Sequence, residues 1–318
     1  ISLILFVIFI VIATPWVMGA IAPGFSETPE RLDMAITFTR ITFPYILFIS
    51  IAALLSGVLN SLDRFAAAAA APIILNLVMI GAMVFFSGAG LTTGKALSWA
   101  VFLSGVLQLG WLYWSCWRIG FRLRLRLPRL TPEVRKVMRL MVPGAIGAGV
   151  MNINLLLDMV FASLLPSGSI SFLHYADRLN QLPLSLFGIA MGTALLPSLS
   201  RQIRLGEEDK ARSTQGLAVE LSLQLTIPAA LGLALLSYPI IDLLYGLKGE
   251  QVTATAAALA AFATGIPAYV LSKVFATGFF ARQDTKTPVK IALISIACNL
   301  MLNVILMGPF SHVGLAMA

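Results

Sequence analysis

The chain has 318 residues, of which 58% are hydrophobic and 11% are charged, with a mean hydropathy of +0.91. A soluble protein carries about 25% charged residues, so this composition excludes an ordinary soluble domain and indicates a polytopic membrane protein. The net charge of +8 lies in short loops between apolar segments, where membrane topology alone places basic residues. We therefore expect no nucleic-acid partner.

Apolar segments follow one another along the chain, and about 20 such residues cross a bilayer as a helix. These segments are too long for barrel strands. We predict an all-α protein of ten helices, at residues 1–22, 36–60, 67–88, 96–118, 137–165, 171–200, 217–245, 254–281, 288–309 and from 314 onward. Since the first opens within an apolar run and the last stops short, we expect both ends of a longer protein to be absent here.

Basic residues mark alternate loops. Sixteen of the 22 Lys and Arg residues fall in the loops after the second, fourth, sixth and eighth predicted helices, and three fall in the loops between these. Cytoplasmic loops are rich in Lys and Arg, so these four loops are predicted to be cytoplasmic.

The most basic loop, at residues 118–139, is the one candidate domain boundary. Its alternating Arg and Leu residues suit a segment on the membrane surface, either as a solvated linker or in contact with anionic headgroups, each basic residue contributing about 1 kcal/mol. We predict a first lobe at 1–119, a cytoplasmic linker at 120–136 and a second lobe at 137–318.

An internal repeat relates the segments 36–88 and 254–309. In each, a proline precedes a glycine, an aspartate follows after five residues, and a second proline opens the next helix: Pro44, Gly57, Asp63 and Pro72, then Pro267, Gly278, Asp284 and Pro288. Both copies run from outside to inside, which predicts two parallel-related six-helix lobes. Chance similarity between two proline-bearing helices is the alternative.

A polar stripe crosses the sixth predicted helix. His174, Asp177, Arg178, Gln181 and Ser185 recur every three or four residues and therefore share one face. Ionised side chains within a membrane usually face a water-filled interior or a partner. The stripe is thus either a substrate-facing wall or an interior seam satisfied by neighbouring helices.

Asp158 in the fifth predicted helix has two candidate partners. It lies as far from the turn at Gly168 as Arg178 does, which allows a direct ion pair, with Asp177 competing for the arginine. Alternatively, Asp158 turns toward Asn299 and Asn303, which are four residues apart. Three oxygen ligands of that kind could hold a monovalent cation.

Two further cations lie within predicted helices. Arg40 is near the outer end of its helix, where snorkelling to the interface is the default explanation. Lys273 is in mid-helix and must be buried in protein or line water.

Several short motifs point to one family. They are Thr39-Arg40-Ile41, Phe43-Pro44-Tyr45, Gly57 to Ser61, Arg64-Phe65, Ala71-Pro72, Asn76, Tyr175 to Leu179, Leu182-Pro183, Gly188 to Ala190, Leu195 to Pro197, and Ser198 to Arg201. This pattern resembles the lipid II flippases, the MurJ/MviN family of the multidrug/oligosaccharidyl-lipid/polysaccharide exporter superfamily.

The resemblance implies fourteen helices with two lobes around a central cavity, of which this chain would hold the third to twelfth. It implies a transporter, not an enzyme, in the bacterial cytoplasmic (inner) membrane. That transporter moves the polyprenyl-diphosphate-linked peptidoglycan precursor lipid II from the inner to the outer leaflet by alternating access. Substrate binding would fall to Arg178, Asp177, His174, Gln181, Arg40 and Lys273.

The resemblance also bears on cofactors. Some relatives are thought to use sodium at a site with an acid where this chain has Asn303. This departure from the family pattern argues against sodium coupling. If sodium does bind, its ligands would be Asp158, Asn299 and Asn303, and we expect no other cofactor.

Three other functions compete with a flippase. A multidrug or polysaccharide exporter of the same superfamily would favour carboxylates in its cavity if its substrates were cationic drugs. A membrane-embedded transferase would need a metal-binding or general-base cluster, which the sequence lacks. A structural assembly factor has no need of Arg178 or Lys273 at depth.

Overall fold

The computed structural model describes residues 2–86, 92–121, 135, 152, 155–190 and 194–318, with the backbone alone at 2 and 187–190. Within these ranges all regular structure is helical. The chain divides into two compact units, Ile1–Ala148 and Gly149–Ala318.

The first unit contains five described α-helices. They are α1 (Ser2–Ile21), α2 (Pro29–Thr42), α3 (Tyr45–Ser61), α4 (Phe65–Phe86) and α5 (Thr93–Arg118), with a short 3-10 helix at Pro23–Glu27 between α1 and α2. Pro29 occupies the first turn of α2 and Glu30 follows it, both of which suit a helix N-terminus. A break at Phe43 and Pro44 then separates α2 from α3.

Helix α5 organises the first unit by packing against α2, α3 and α4. Its approach to α3 depends on Gly105, because a Cβ there would lie 2.6 Å from the ring of Tyr45. A buried cluster of Leu55, Leu59 and Leu112, with smaller residues around them, closes the contact.

The second unit contains seven described helical segments. They are α6 (155–163), α7 (Ser169–Ala190), α8 (Leu196–Arg204), α9 (Glu208–Leu235), α10 (Ser237–Tyr245), α11 (Glu250–Ala281) and α12 (Lys286–Met317). Helix α11 lies at the centre, in contact with α7, α8, α9, α10 and α12. Its buried residues recur along its whole length, from Val252 through Ile266 to Ala281.

The prediction of an all-α polytopic membrane protein is confirmed. In the part of the chain described, seven helical spans are long and apolar enough to cross a membrane. Four match the predicted segments closely, at Leu3–Ile21, Phe65–Phe86, Thr93–Arg118 and Glu250–Ala281. The predicted segment 137–165 lies mostly outside the described residues.

Several predicted boundaries were wrong, and prolines and caps explain most of the differences. The segment 217–245 is two helices, because Pro239 near the start of α10 cannot continue α9. Helix α9 also begins earlier, at Glu208, where two acids favour an N-terminus. The segment 36–60 begins at Pro29. The segment 171–200 holds most of α7 and the start of α8, with Pro197 in the first turn of α8, and the junction at 191–193 lies outside the described residues.

The last two predicted helices meet at a kink rather than at a loop. Ser311 has φ 52° and ψ −131° inside α12, two residues after Pro309. A Cβ at Gly314 would collide with the Leu306 carbonyl, so only glycine fits beside this kink.

The predicted linker 120–136 falls almost wholly outside the described residues, so the lobe boundaries stay a prediction. Of the basic loop, Arg118 is described, and its guanidinium lies 4.9 Å from the Trp114 ring centroid.

The turns that connect α3 to α4 and α11 to α12 share one geometry. Asp63 and Gln283 have φ of 57° and 60°, and each turn repeats the same backbone hydrogen bonds. These bonds match Asp63 with Gln283 and Arg64 with Asp284. The same hydrogen bonds close the helix ends at Gly120 and Gly206, as is common at helix C-termini, so the predicted pairing of Asp63 with Asp284 stays a prediction.

Candidate functional site

The predicted polar stripe lies on one helix face, as expected. On α7, His174, Arg178 and Gln181 are exposed, whereas Ala176 and Leu179 on another face are buried against α11. The helix starts after Gly168, whose φ of 102° suits glycine. The stripe therefore points away from the centre of this unit.

Asp177 is occupied by its neighbour on the same helix. The Gln181 side-chain amide donates to the Asp177 carboxylate at 2.6 Å, one turn apart. This hydrogen bond holds the Gln181 amide in one orientation.

Arg178 forms no ion pair with any carboxylate in the part of the chain described. The predicted pairs with Asp158 or Asp177 are therefore absent there. The Arg178 side chain is exposed. Tyr175, three residues before it, contacts the end of α10, because the Tyr245 hydroxyl donates to the Tyr175 carbonyl at 3.2 Å and the two tyrosine rings lie 4.7 Å apart.

The second predicted arrangement for Asp158 is the one observed. The Asn303 side-chain nitrogen donates to Asp158 Oδ1 and to Asn299 Oδ1, both at 3.1 Å. Asn303 is fully buried, and its Oδ1 has no hydrogen-bond partner among the described residues. The cluster joins α6 to α12.

This cluster suits a monovalent cation better than a transition metal. Carboxylate and amide oxygens are the atoms that hard cations prefer. As oriented here, the Asn303 amide presents its nitrogen to the Asp158 and Asn299 oxygens, so the three oxygens would converge on a cation only with that amide turned over. No group of three or more His, Cys, Asp or Glu residues that could hold a metal occurs within the described ranges.

Arg40 lies deeper in its helix than predicted. It follows Pro29, the first residue of α2, by eleven positions, or roughly 16 Å. Its Nε donates to the Val11 carbonyl of α1 at 3.3 Å. The side chain is thus attached to a backbone group rather than snorkelling, and its terminal nitrogens point outward.

Lys273 is exposed in the middle of α11, with its Nζ 5.0 Å from the centroid of the Tyr269 ring. This cation–π contact keeps the ammonium beside its own helix. No described contact joins Lys273 to the stripe on α7.

Two residues near the predicted site, Tyr245 and Pro15, were not predicted from the sequence. A tyrosine near a helix end is typical of an interfacial anchor, so nothing in the pattern marked Tyr245. Pro15 could have been predicted, because a proline inside a helix leaves the backbone carbonyl four residues earlier, here that of Val11, without its N–H donor.

Comparison with known proteins identifies the family. The family model described as Lipid II flippase MurJ matches residues 1–318. The chain is 42% identical to a probable lipid II flippase MurJ of Rhizobium tropici and 35% identical to one of Rickettsia prowazekii. Each alignment covers 99% of this chain but only 60% and 62% of the relative. The assignment of these helices to the third to twelfth of the family stays a prediction.

Solved structures agree with this result. A lipid II flippase MurJ in an inward closed conformation superposes with a TM-score of 0.83 at 25% identity, over 99% of this chain and 66% of that one. A multidrug resistance MATE family transporter superposes at 0.66 with 14% identity, over 98% and 74%, which shows the shared fold alone. The chain is a multi-pass membrane protein and belongs to the lipid II flippase MurJ family.

Proposed function

We propose that the chain acts as a lipid II flippase in the bacterial cytoplasmic membrane. It would carry the lipid-linked peptidoglycan precursor from the inner to the outer leaflet by alternating access. The observation that supports this most is Arg178, an exposed cation on α7 with no carboxylate partner in the described part of the chain.

Arg178 suits a diphosphate in both charge and shape. A guanidinium cannot be neutralised by deprotonation and presents a planar fork that bonds two phosphate oxygens at once. His174 and Gln181 lie one turn away on either side and are also exposed. Both side chains would form hydrogen bonds with sugar hydroxyls, as donors or as acceptors. Asp177 would hold the Gln181 amide in the orientation for this contact.

Arg40 and Lys273 would add positive charge elsewhere along the substrate route. Arg40 has one nitrogen committed to the Val11 carbonyl, which leaves its terminal nitrogens for a ligand. Lys273 provides a point charge over Tyr269.

A multidrug exporter is the alternative within the superfamily. Exporters of cationic drugs would need available carboxylates, whereas Asp177 is bonded to Gln181 and Asp158 to Asn303. The exposed charge on α7 is therefore the positive charge of Arg178. This charge favours an anionic substrate.

The proposal can be tested by substituting Arg178 in the whole protein that the gene encodes. Arg178→Ala should abolish complementation of a bacterium depleted of its own flippase, while the variant protein still accumulates in the membrane. Arg178→Lys should restore activity only in part, because lysine lacks the bidentate fork. Arg204→Ala is the matched control, since the Arg204 Nε bonds the Ser200 carbonyl of its own helix, and it should complement normally.

A different result would refute the anchor role. If Arg178→Ala regains activity when Asp177 or Asp158 is also replaced, then the arginine serves only to neutralise an acid. Loss of the protein from the membrane in Arg178→Ala, corrected by the same second substitution, would support that structural role.

We also propose that sodium binds at Asp158, Asn299 and Asn303. When bound, the ion would supply a positive charge that links α6 to α12 through oxygen ligands. Turning the Asn303 amide over would bring its unpartnered buried oxygen to the Asp158 and Asn299 oxygens, and the ion would replace the two hydrogen bonds of its nitrogen. We propose no other cofactor.

Sodium should therefore raise the unfolding temperature of the purified protein more than potassium at equal ionic strength. Asp158→Asn should abolish that difference, because it removes the one formal negative charge. Asp242→Asn, on α10, is the control and should leave it unchanged. An equal response to both ions in the parent protein would rule the site out.

Residues 118–139 are proposed to contact anionic lipid headgroups, on the basis of their basic composition.

A further inference from the structure

A cavity of about 420 Å³ lies between the end of α7, α8 and the cytoplasmic half of α9. Ligand-binding pockets typically measure roughly 300–1,000 Å³, so the volume is sufficient for a small ligand or part of a larger one. Leu217, Leu221 and Leu225 line it along one face of α9, with Leu186 of α7 opposite. All four leucines are exposed, so the cavity opens toward the surface of this unit.

The cavity is polar at one end and apolar at the other. Ser198 of α8 and Thr214 of α9 line the end nearest the loop between these helices, and the Gln202 amide donates to the Thr214 hydroxyl at 3.0 Å. That loop is one of the four basic loops and is therefore predicted to be cytoplasmic. On that prediction, the cavity runs from the inner membrane interface into the hydrocarbon.

A buried hydroxyl without a partner points to a ligand. Ser222 lines the cavity and is 2% exposed, yet its Oγ has no hydrogen-bond partner among the residues described. An unpaired buried hydroxyl costs free energy unless something outside the protein satisfies it. Ser222 lies five residues, roughly 7 Å, farther along α9 than Leu217, between the polar and the apolar end of the cavity. An ester carbonyl of a lipid is an acceptor that would suit this position.

A free cation stands at the cytoplasmic end. Arg201 follows Ser198 by three residues on α8, so the two share a side of that helix. It is exposed and forms no ion pair in the described ranges, whereas its neighbours Lys210 and Arg282 pair with Glu207 and Glu208. Its charge complements a phosphate at the interface.

We propose that this cavity binds one acyl chain of an anionic glycerophospholipid from the cytoplasmic leaflet. The Ser222 hydroxyl donates to an ester carbonyl of that lipid, and Arg201 faces its phosphate. The leucines of α9 contact the chain itself. The ligand is a resident bilayer lipid and not the transported substrate, so the site is separate from the stripe on α7.

The test uses a photoactivatable probe. The protein is reconstituted in vesicles of equal parts phosphatidylcholine and phosphatidylglycerol, with a trace of phosphatidylglycerol that carries a diazirine in its acyl chain. Crosslinks should concentrate at Leu217, Leu221 and Leu225. They should decrease as unlabelled phosphatidylglycerol replaces phosphatidylcholine at constant total lipid, because a site saturates and bulk contact does not.

Two substitutions on α9 provide a matched pair. Leu221→Trp fills the cavity and should reduce labelling roughly tenfold. Leu231→Trp places the same side chain at an equally exposed position outside the cavity and should have no effect. Labelling that is uniform along α9, does not saturate, or is insensitive to Leu221→Trp would overturn the proposal.

The headgroup is tested separately. Arg201→Gln should reduce labelling by the phosphatidylglycerol probe and leave labelling by a phosphatidylcholine probe unchanged. Equal labelling by both probes in the parent protein, with no effect of Arg201→Gln, would overturn the preference for an anionic lipid.

Discussion

At the scale of single residues, Pro15 removes a backbone hydrogen bond in α1 and Arg40 of α2 replaces it. Because proline has no N–H, the Val11 carbonyl four residues earlier lacks its usual donor in α1. Arg40 Nε and the Thr14 hydroxyl donate to that carbonyl instead, at 3.3 and 3.0 Å. Helix α1 is thereby attached to α2.

This dependence can be measured with a double-mutant cycle. Arg40→Ala should lower the free energy of unfolding by about 1 kcal/mol, the worth of a hydrogen bond to a partly satisfied carbonyl. In a Pro15→Ala background the same substitution should cost less, since the restored N–H bonds Val11 directly. Unfolding in detergent measures both values. Strictly additive effects would show that the two residues act independently.

At the scale of elements, the turn from α11 to α12 is built around Asp284. Its carboxylate accepts hydrogen bonds from the Thr287 hydroxyl at 2.6 Å and from the backbone N–H groups of Thr287 and Lys286 at 3.0 Å. These bonds, led by the Thr287 hydroxyl, hold the pKa of Asp284 below its ordinary value. The charged side chain thus caps the N-terminus of α12.

A lowered pKa means that the folded state resists protonation of Asp284. Its contribution to stability is therefore complete above the ordinary aspartate value of about 4, and it is lost as the pH falls through the lower folded value. Asp284→Ala should reduce the unfolding temperature at neutral pH by a few degrees, and the deficit should shrink in acid. Asp284→Asn keeps an acceptor and should lose less. A deficit that is constant with pH would contradict this account.

At the scale of the whole molecule, contacts within the second unit agree with the orientation predicted from charge. Arg282 pairs with Glu208 at 2.9 Å, so the turns before α9 and after α11 lie on one side. The His312 ring contacts the Ala254 carbonyl at 3.0 Å and the Tyr245 hydroxyl contacts Tyr175, which groups the other ends together. Both groups of contacts agree with the alternation of basic and non-basic loops along the sequence.

Cysteine labelling in intact cells tests the orientation. In a background with Cys116 and Cys298 replaced by serine, Lys248→Cys should react with a membrane-impermeant thiol reagent. Leu205→Cys should react only after the membrane is permeabilised. Both positions are exposed, so accessibility reports the side of the membrane. Reaction of Leu205→Cys in intact cells would reverse the orientation.

The candidate site was predictable only in part. Spacing along one helix was sufficient to place His174, Arg178 and Gln181 on one face, because residues three or four apart are neighbours in any α-helix. The partner of Asp158 was not predictable. Whether it met Arg178 or Asn303 depended on how helices far apart in sequence pack, and periodicity carries no information about that choice.

By itself, the sequence determined that the chain spans a membrane many times, where most helices run and to which family it belongs. Hydrophobic length, loop charge and short motifs are local properties, and the bilayer converts them directly into topology. Only the tertiary structure decided that Asn303 takes Asp158 and leaves Arg178 without a carboxylate in the described residues, and that Arg40 bonds the carbonyl freed by Pro15. Each of these depends on contacts between separate helices, because a side chain's partner is set by packing in three dimensions.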